Sequence, residues 1–219
     1  MKRKIIVHLA VFCFLSLFTL PGEAELNLND DQLARLEGKY GAQAGKRFRA
    51  WRELMEKTKS LSEEDKLREV NNYINTSVLF IGDADNWGRE DYWATPYECL
   101  GKGAGDCEDF SIIKYYTLRE LGVPDEKLRL TYVKALAPYN QAHMVCTYFP
   151  TPTSSPLILD NLIGEIEPAI NRSDLVPVYS FNGTGLWLAK ARGSGQQVKG
   201  GTGKLSMWQQ MQGRLAKDI

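Results

Sequence analysis

The hydrophobic pattern of this chain changes its period near residue 122, and that change limits the folds open to it. Up to about residue 122, except in an irregular segment at 80–100, apolar residues recur at helical spacing, as in Leu67, Val70 and Ile74. Beyond it, short apolar stretches are separated by turn residues, which is typical of strands. The strand candidates are 128–133, 142–149, 157–162, 176–180 and 185–188, and a helix is predicted at 205–219. Helices followed by strands indicate an α+β fold with an antiparallel sheet.

The first 24 residues have the pattern of a secretory signal peptide. Basic residues at 2–4 precede an apolar run at 5–20, and small residues stand at −3 and −1 if cleavage follows Ala24. An uncleaved membrane anchor is the alternative, although the apolar run is short for a span. The 219 residues suffice for one domain of ordinary size. We therefore predict a signal peptide at 1–24 and a single domain at 25–219, with no membrane insertion after cleavage.

Charge and cysteine content exclude several classes of protein. The chain carries 27 basic and 27 acidic residues and has no basic stripe, so nucleic-acid binding is not indicated. Removal of residues 1–24 leaves three cysteines, an odd number that keeps at least one thiol free. A disulfide-dense scaffold is excluded, whereas pairing of Cys99 with Cys146 stays open.

A glycine-rich segment ends in a cysteine surrounded by carboxylates. Glycines at 101, 103 and 105 lead into Asp106-Cys107-Glu108-Asp109, and a helix is predicted from Ser111 to about residue 121. Cys107 would then lie at or near a helix N-terminus, where unpaired N–H groups and the helix dipole favour a thiolate. Cysteine nucleophiles are often placed this way. The alternative is a small buried hydrophobic side chain in a tight loop.

One histidine remains after signal removal, and it lies in a predicted strand. His143 is followed 17 residues later by Asp160 in the next apolar strand. If these strands are antiparallel neighbours, the two side chains can lie side by side. A cysteine nucleophile needs such a base and an acceptor that orients the base. A core histidine beside a strand-end aspartate is the equally open alternative, and a zinc site is disfavoured because paired-ligand spacing is missing.

The carboxylates around Cys107 create an electrostatic problem. Asp106, Glu108 and Asp109 should raise the pKa of the thiol and so oppose the helix terminus. A hard cation bound by these groups would offset their charge. We therefore predict a calcium site, with Asp85 or Asp83 from the acidic, aromatic loop at 80–100 as a further ligand. Glu108 could instead point to solvent, and an acidic loop alone is usually only solvated.

Five segments together resemble the bacterial transglutaminase-like cysteine proteinases, with the resemblance running from about residue 60 to about 190. They are DYWATPYE at 91–98, GDCEDF at 105–110, LRLTYV at 128–133, AHMV at 142–145 and LILD at 157–160. The resemblance implies a papain/transglutaminase-like fold. It also implies Cys107 as nucleophile, His143 as base and Asp160 as the group that orients the base.

The resemblance further implies a biological role. Members of this family are periplasmic, calcium-dependent endopeptidases that cut a large RTX-type surface adhesin near its N-terminus, beside paired alanines, and thereby release cells from a biofilm. An inner-membrane cyclic-di-GMP receptor of the LapD type inhibits them by sequestration. Asp106 and Glu108 match family positions tied to calcium.

Two other functions are compatible with the same residues, and further residues are predicted to bind the receptor and to stabilise the oxyanion. The same residues would serve a transglutaminase or acyltransferase, in which an amine resolves the acyl-enzyme, and a non-catalytic module could use the fold only to bind a receptor. Trp87 and Trp93 are predicted to border a pocket for an aromatic or apolar receptor side chain. The oxyanion would be held by the Cys107 backbone N–H together with Trp93, Asn140 or Gln141.

Overall fold

The computed structural model describes residues 26, 28–189 and 195–218. The predicted signal peptide at 1–24 lies outside these residues. Within the described part of the chain, no helix combines the length and the apolar character needed to cross a membrane.

Three amphipathic helices form the N-terminal layer. They are α1 (Asp30–Tyr40), α2 (Ala42–Thr58) and α3 (Glu63–Ser77). The Asn29 side chain accepts a hydrogen bond from the Gln32 N–H at 2.8 Å, and Ser62 caps α3 by accepting from the Asp65 N–H. These caps satisfy backbone donors that the first helical turn leaves unpaired, and each helix begins directly after its capping residue.

The segment at 80–100 is not the continuous loop that we predicted. It contains β1 (Leu79–Phe80), α4 (Asp83–Trp87) and α5 (Pro96–Lys102), and it leads into β2 (Ala104–Gly105), which pairs with β1 in parallel. Helix α5 starts with a capping box in which Thr95 and Glu98 bond each other's backbone N–H groups, followed by proline at the first position. That local signal overrides the irregular hydrophobic pattern.

Helix α6 (Cys107–Glu120) is the central helix of the domain. It begins at Cys107, four residues before the predicted start at Ser111, with Asp106 as its N-cap. Nearly every residue of α6 is buried, since α3 and α5 cover one side and strands of the sheet cover the other. This packing on two sides gives Cys107, the first residue of the helix, a rigid support.

In the described part of the chain, seven strands form one antiparallel sheet in the order β6-β5-β4-β3-β7-β8-β9. The strands are β3 (Leu128–Ala135), β4 (Gln141–Tyr148), β5 (Leu157–Leu159), β6 (Glu167–Pro168), β7 (Leu175–Phe181), β8 (Leu186–Leu188) and β9 (Gln196–Gln197). The predicted α+β class with an antiparallel sheet is confirmed.

The last helix, α7 (Ser206–Asp218), packs back onto the core through one apolar stripe. The stripe consists of Trp208, Met211 and Leu215, all fully buried. The Trp208 ring contacts aromatic rings of α6 and β7. These contacts bring the start of α7 back beside the start of α6.

Cys99 and Cys146 do not pair with each other. Both are buried and carry free thiols. Cys107, which is less buried, also has a free thiol. The pairing that the sequence left open is therefore absent from the structure, and these two cysteines behave as small apolar core residues.

Candidate active site

The position of Cys107 is fixed by hydrogen bonds as well as by its helix. The Ser111 Oγ lies 2.8 Å from the carbonyl oxygen of Cys107 and 3.0 Å from that of Met144, which follows His143 in β4. One hydroxyl therefore ties the first turn of α6 to the strand that carries the histidine. The backbone of Met144 also hydrogen-bonds the Cys107 thiol.

The structure brings His143 and Asp160 together. Strands β4 and β5 are antiparallel neighbours in which Cys146 faces Leu159, so Asp160 lies at the end of β5 near His143. The distance from His143 Nε2 to Asp160 Oδ1 is 2.8 Å, and both side chains are at most 1% exposed. Because Nε2 bonds the carboxylate, Nδ1 is the ring nitrogen that remains for a thiol.

Cys107 and His143 line one cavity of about 630 Å³. Two tyrosines from β3 and β7 stack on each other in its wall, with ring centroids 5.1 Å apart. The segment at 204–207, at the start of α7, closes a further side. The cavity wall contains Asp91, Trp93, Asp106, Cys107, Glu108, Tyr132, Ala142, His143, Met144, Tyr179, Lys204, Leu205, Ser206 and Met207.

Asp160 has a second charged partner that the sequence did not indicate. Arg172 Nη2 donates to Asp160 Oδ2 at 2.8 Å, and the backbone N–H of Leu162 donates to Oδ1 at 3.0 Å. Burial alone would raise the pKa of Asp160, but the hydrogen bonds from His143, Leu162 and Arg172 outweigh it and lower the pKa to about 2. Asp160 is therefore held as a carboxylate.

Three carboxylates form a group that we call the acidic cluster: Asp83, Asp106 and Asp109. One oxygen of each lies within 4.8 Å of the others. Asp83 Oδ1, Asp106 Oδ1 and Asp109 Oδ2 are buried, and none has a hydrogen-bond partner among the described residues. Buried oxygens without donors cost free energy, and several convergent carboxylate oxygens are the ligands that hard cations such as calcium prefer. These residues therefore fit a divalent cation.

The acidic groups act unfavourably on one another and on the thiol. Burial and the charge of Asp106 raise the pKa of Asp83 to about 6, and burial with neighbouring carboxylates raises the pKa of Glu108 and of Asp109. The pKa of Cys107 is raised by burial and then by Glu108, whose Oε2 lies 3.1 Å from Sγ. The predicted conflict between the carboxylates and a thiolate is therefore present in the structure.

Two sequence-predicted residues lie elsewhere than expected. Asp85 is exposed and outside the acidic cluster, because a two-residue step in helix α4 turns it away from the side that Asp83 occupies. Trp87 does not line the cavity, since its ring packs on Tyr92 at 4.6 Å and beneath the Lys102 ammonium at 4.7 Å. Glu108, which could have pointed to solvent, is buried.

The candidate oxyanion donors are also distinguished by their positions. Trp93 lines the cavity, but its side chain hydrogen-bonds Asp91. Asn140 and Gln141 are exposed and do not line the cavity. The Cys107 backbone N–H lies at the start of α6, where helical donors have no partner in the preceding turn.

Comparison with known proteins bears on this geometry. Residues 45–176 match the family described as bacterial transglutaminase-like cysteine proteinase BTLCP, and this match spans more than half of the chain. The chain belongs to this family. The segments on which the resemblance rested at 91–160 lie within the match, and the predicted family is confirmed. The chain is accordingly a cysteine protease of transglutaminase-like fold. No curated protein sequence matches it.

Three solved structures of Legionella pneumophila LapG are similar to the chain. One is 40% identical, with a TM-score of 0.75 over 88% of this chain and 99% of that chain. A calcium-bound structure is 41% identical, with a TM-score of 0.74 over 87% and 99%. An EGTA-treated structure is 41% identical, with a TM-score of 0.77 over 88% and 99%. The matches extend beyond the family segment and cover most of the chain.

Proposed function

We propose that this protein is a periplasmic, calcium-dependent cysteine endopeptidase with Cys107, His143 and Asp160 as its catalytic triad. It would cleave a large RTX-type surface adhesin near the N-terminus of the adhesin, at paired alanines, and so promote release from a biofilm. A cyclic-di-GMP receptor of the LapD type would inhibit it by binding. The observation that carries the proposal is the 2.8 Å bond between His143 and Asp160 in a cavity whose wall also contains Cys107.

The triad geometry supports a defined sequence of proton transfers. His143 takes the thiol proton of Cys107 at Nδ1 while Asp160 holds Nε2, and the thiolate attacks the scissile carbonyl carbon. The carbonyl electrons move to oxygen, where the Cys107 backbone N–H accommodates the charge. Collapse expels the amine, which receives the proton from His143. Water, deprotonated by His143, then hydrolyses the acyl-enzyme and regenerates the thiol.

Calcium would be held by the acidic cluster, with Glu108 and Asp91 as neighbouring carboxylates. The unpartnered buried oxygens of Asp83, Asp106 and Asp109 support this assignment. When bound, the cation supplies positive charge that offsets these carboxylates and so reduces the electrostatic penalty on the Cys107 thiolate. The calcium-bound structure of the similar Legionella protein supports the choice of metal.

The first test is cleavage of a purified adhesin N-terminal fragment that contains paired alanines by residues 25–219. We expect cleavage with calcium and none with excess EGTA, and Cys107→Ser should be inactive in both. Asp83→Asn should raise the calcium concentration needed for half-maximal activity at least tenfold. The matched Asp85→Asn, in the same short helix but outside the acidic cluster, should not.

Each of the other outcomes would contradict a different part of the proposal. Cleavage that persists in EGTA would leave the protease and remove the calcium assignment. Incorporation of a labelled amine into the fragment without cleavage would indicate a transglutaminase or acyltransferase instead. Folded wild-type protein with neither activity would favour the receptor-binding module.

Receptor docking is tested with the two tryptophans. Trp93 lines the cavity beside Cys107, whereas Trp87 is held away from it by Tyr92 and Lys102. Trp93→Ala should weaken binding to the purified periplasmic domain of the receptor, and Trp87→Ala is the matched control. Equal affinity of wild type and Trp93→Ala would remove the cavity as the docking site.

A further inference from the structure

We propose that Arg172 is a positioning residue for catalysis, which fixes the rotation of the Asp160 carboxylate so that one oxygen faces His143. This inference rests on the proposed function, because it assigns Asp160 to the triad. Arg172 lies within the segment that matches the family. It follows β6 by way of a short 3-10 helix at Ala169–Asn171 and is nearly fully buried.

The two oxygens of Asp160 have different partners, and the backbone N–H of Leu162 donates to the same oxygen, Oδ1, that faces His143. Oδ1 bonds His143 Nε2 at 2.8 Å, and Oδ2 accepts from Arg172 Nη2 at 2.8 Å. A carboxylate rotates easily about its last bond, because that torsion has a broad energy profile. Bonds to both oxygens restrict this rotation, so the acceptor that orients the imidazole is itself oriented.

The guanidinium of Arg172 is also held by a second carboxylate. Its Nε and Nη2 donate to the Asp174 carboxylate at 2.9 and 2.8 Å. The planar guanidinium thus bridges two carboxylates, a geometry that the single ammonium of a lysine does not reproduce. Asp174 is partly exposed, with 34% of its side chain accessible. The chain therefore offers a matched pair of changes, one in the bridging guanidinium and one in the carboxylate that does not contact His143.

The positive charge of Arg172 has a second consequence for Asp160. A buried carboxylate without a cationic partner tends to take up a proton or to turn toward any other donor. Either change would remove the acceptor from Nε2 and leave the ring of His143 free to rotate. We therefore expect loss of Arg172 to act on turnover more than on substrate binding.

The test compares Arg172→Gln, Arg172→Lys and Asp174→Asn, each verified as folded by circular dichroism and thermal melting. Two quantities are measured between pH 5 and 9: kcat and KM for the adhesin fragment, and the rate at which iodoacetamide alkylates Cys107. For Arg172→Gln we expect kcat to fall roughly 10- to 100-fold, with KM changed less than about twofold. Its alkylation midpoint should move to higher pH, because the thiolate loses support from a correctly held imidazole.

The other variants separate positioning from simple structural support. Arg172→Lys keeps the charge but not the bridge, and we expect a loss in kcat of roughly 3- to 10-fold. Asp174→Asn keeps the bond between Arg172 and Asp160, and its kcat should fall less than about threefold. If Arg172→Gln does not fold, Arg172→Lys carries the test, since wild-type kcat and alkylation profile in that variant would overturn the proposal. So would an effect of Asp174→Asn as large as that of Arg172→Gln.

Failure of this inference is distinguishable from failure of the proposed function. Alkylation of Cys107 needs no peptide substrate, so its pH profile reports on Arg172 even if the adhesin fragment is not cleaved. Cleavage that depends on Cys107 but is unchanged in folded Arg172→Gln would overturn the role of Arg172 alone.

Discussion

Replacement of Lys114 by methionine should stabilise the protein, and it should do so more at pH 7 than at pH 9. Lys114 lies in the middle of α6, is 1% exposed, and donates to the backbone carbonyl of Asp160 at 3.1 Å. Burial lowers the pKa of Lys114 from its usual 10.5 to about 7, although the neighbouring Cys146 and Asp160 act in the opposite direction. The side chain is therefore a cation in the unfolded chain and half neutral in the folded protein at neutral pH.

The sign and size of the effect follow from proton linkage. Because the folded state binds the proton less tightly, folding is penalised below pH 7, and the penalty disappears as pH rises toward 10.5. At about 1.4 kcal/mol per pH unit, the penalty is on the order of 4 kcal/mol at pH 7 and about 2 kcal/mol at pH 9. The lost hydrogen bond subtracts about 1 kcal/mol. We therefore expect Lys114→Met to raise the free energy of unfolding by about 3 kcal/mol at pH 7 and about 1 kcal/mol at pH 9.

The assay is urea unfolding followed by circular dichroism, with both proteins in identical buffers at each pH. Comparison at one pH cancels the ionisation of the three thiols, which both proteins share. Lys66→Met is the control, since Lys66 also donates to a backbone carbonyl, that of Leu121, but remains partly exposed. Its effect at pH 7 should be small. Destabilisation by Lys114→Met at pH 7, or equal stabilisation at both pH values, would refute the reasoning.

Three further predictions follow from other contacts. Gly105→Ala places a methyl carbon 2.6 Å from Asp109 Oδ2 in the acidic cluster, and we expect calorimetry to show a calcium affinity at least tenfold lower. Gly82→Ala is the control, because the space around Gly82 is open, and this variant should bind calcium with normal affinity. Because the pKa of Asp160 is lowered to about 2 in the folded protein, its ionised form stabilises the fold above about pH 4, and this contribution is lost as pH falls toward 2. Urea unfolding of the wild type should therefore show a loss of about 2 kcal/mol in the free energy of unfolding over this range, and Asp160→Asn should not show it. Arg214→Met removes a 2.5 Å bond to the Trp93 carbonyl, and we expect about 1–2 kcal/mol lower stability in urea and slower adhesin cleavage.

Much of the scaffold could be predicted because its signals are local. The caps at Asn29 and Ser62, the helix that starts beside Cys107 and the antiparallel strands around His143 all depend on neighbouring residues. The capping box at Thr95 is an equally local signal, and it starts helix α5 inside the segment that the hydrophobic pattern alone predicts as loop.

The rest of the site depends on contacts between distant segments. Arg172 reaches Asp160 across 12 positions and through an irregular turn, and no periodicity marks it. Ser111 links α6 to β4 across 33 positions by a hydroxyl that sequence alone cannot aim. The choice between Asp83 and Asp85 required the rotation of a five-residue helix, which is too short to show an amphipathic pattern.

The stability with which helix α7 stays docked should determine how long the enzyme remains active. The first turn of α7 forms a wall of the cavity, and its Arg214 holds the Trp93 carbonyl, yet its buried apolar residues form a single stripe of three. Partial opening that releases only this helix would dismantle the wall while the sheet and α6 remain intact. Thermal inactivation would then set in below the temperature of global melting. Substitutions that improve the packing of the buried face of α7 should therefore prolong activity more than substitutions in the central core.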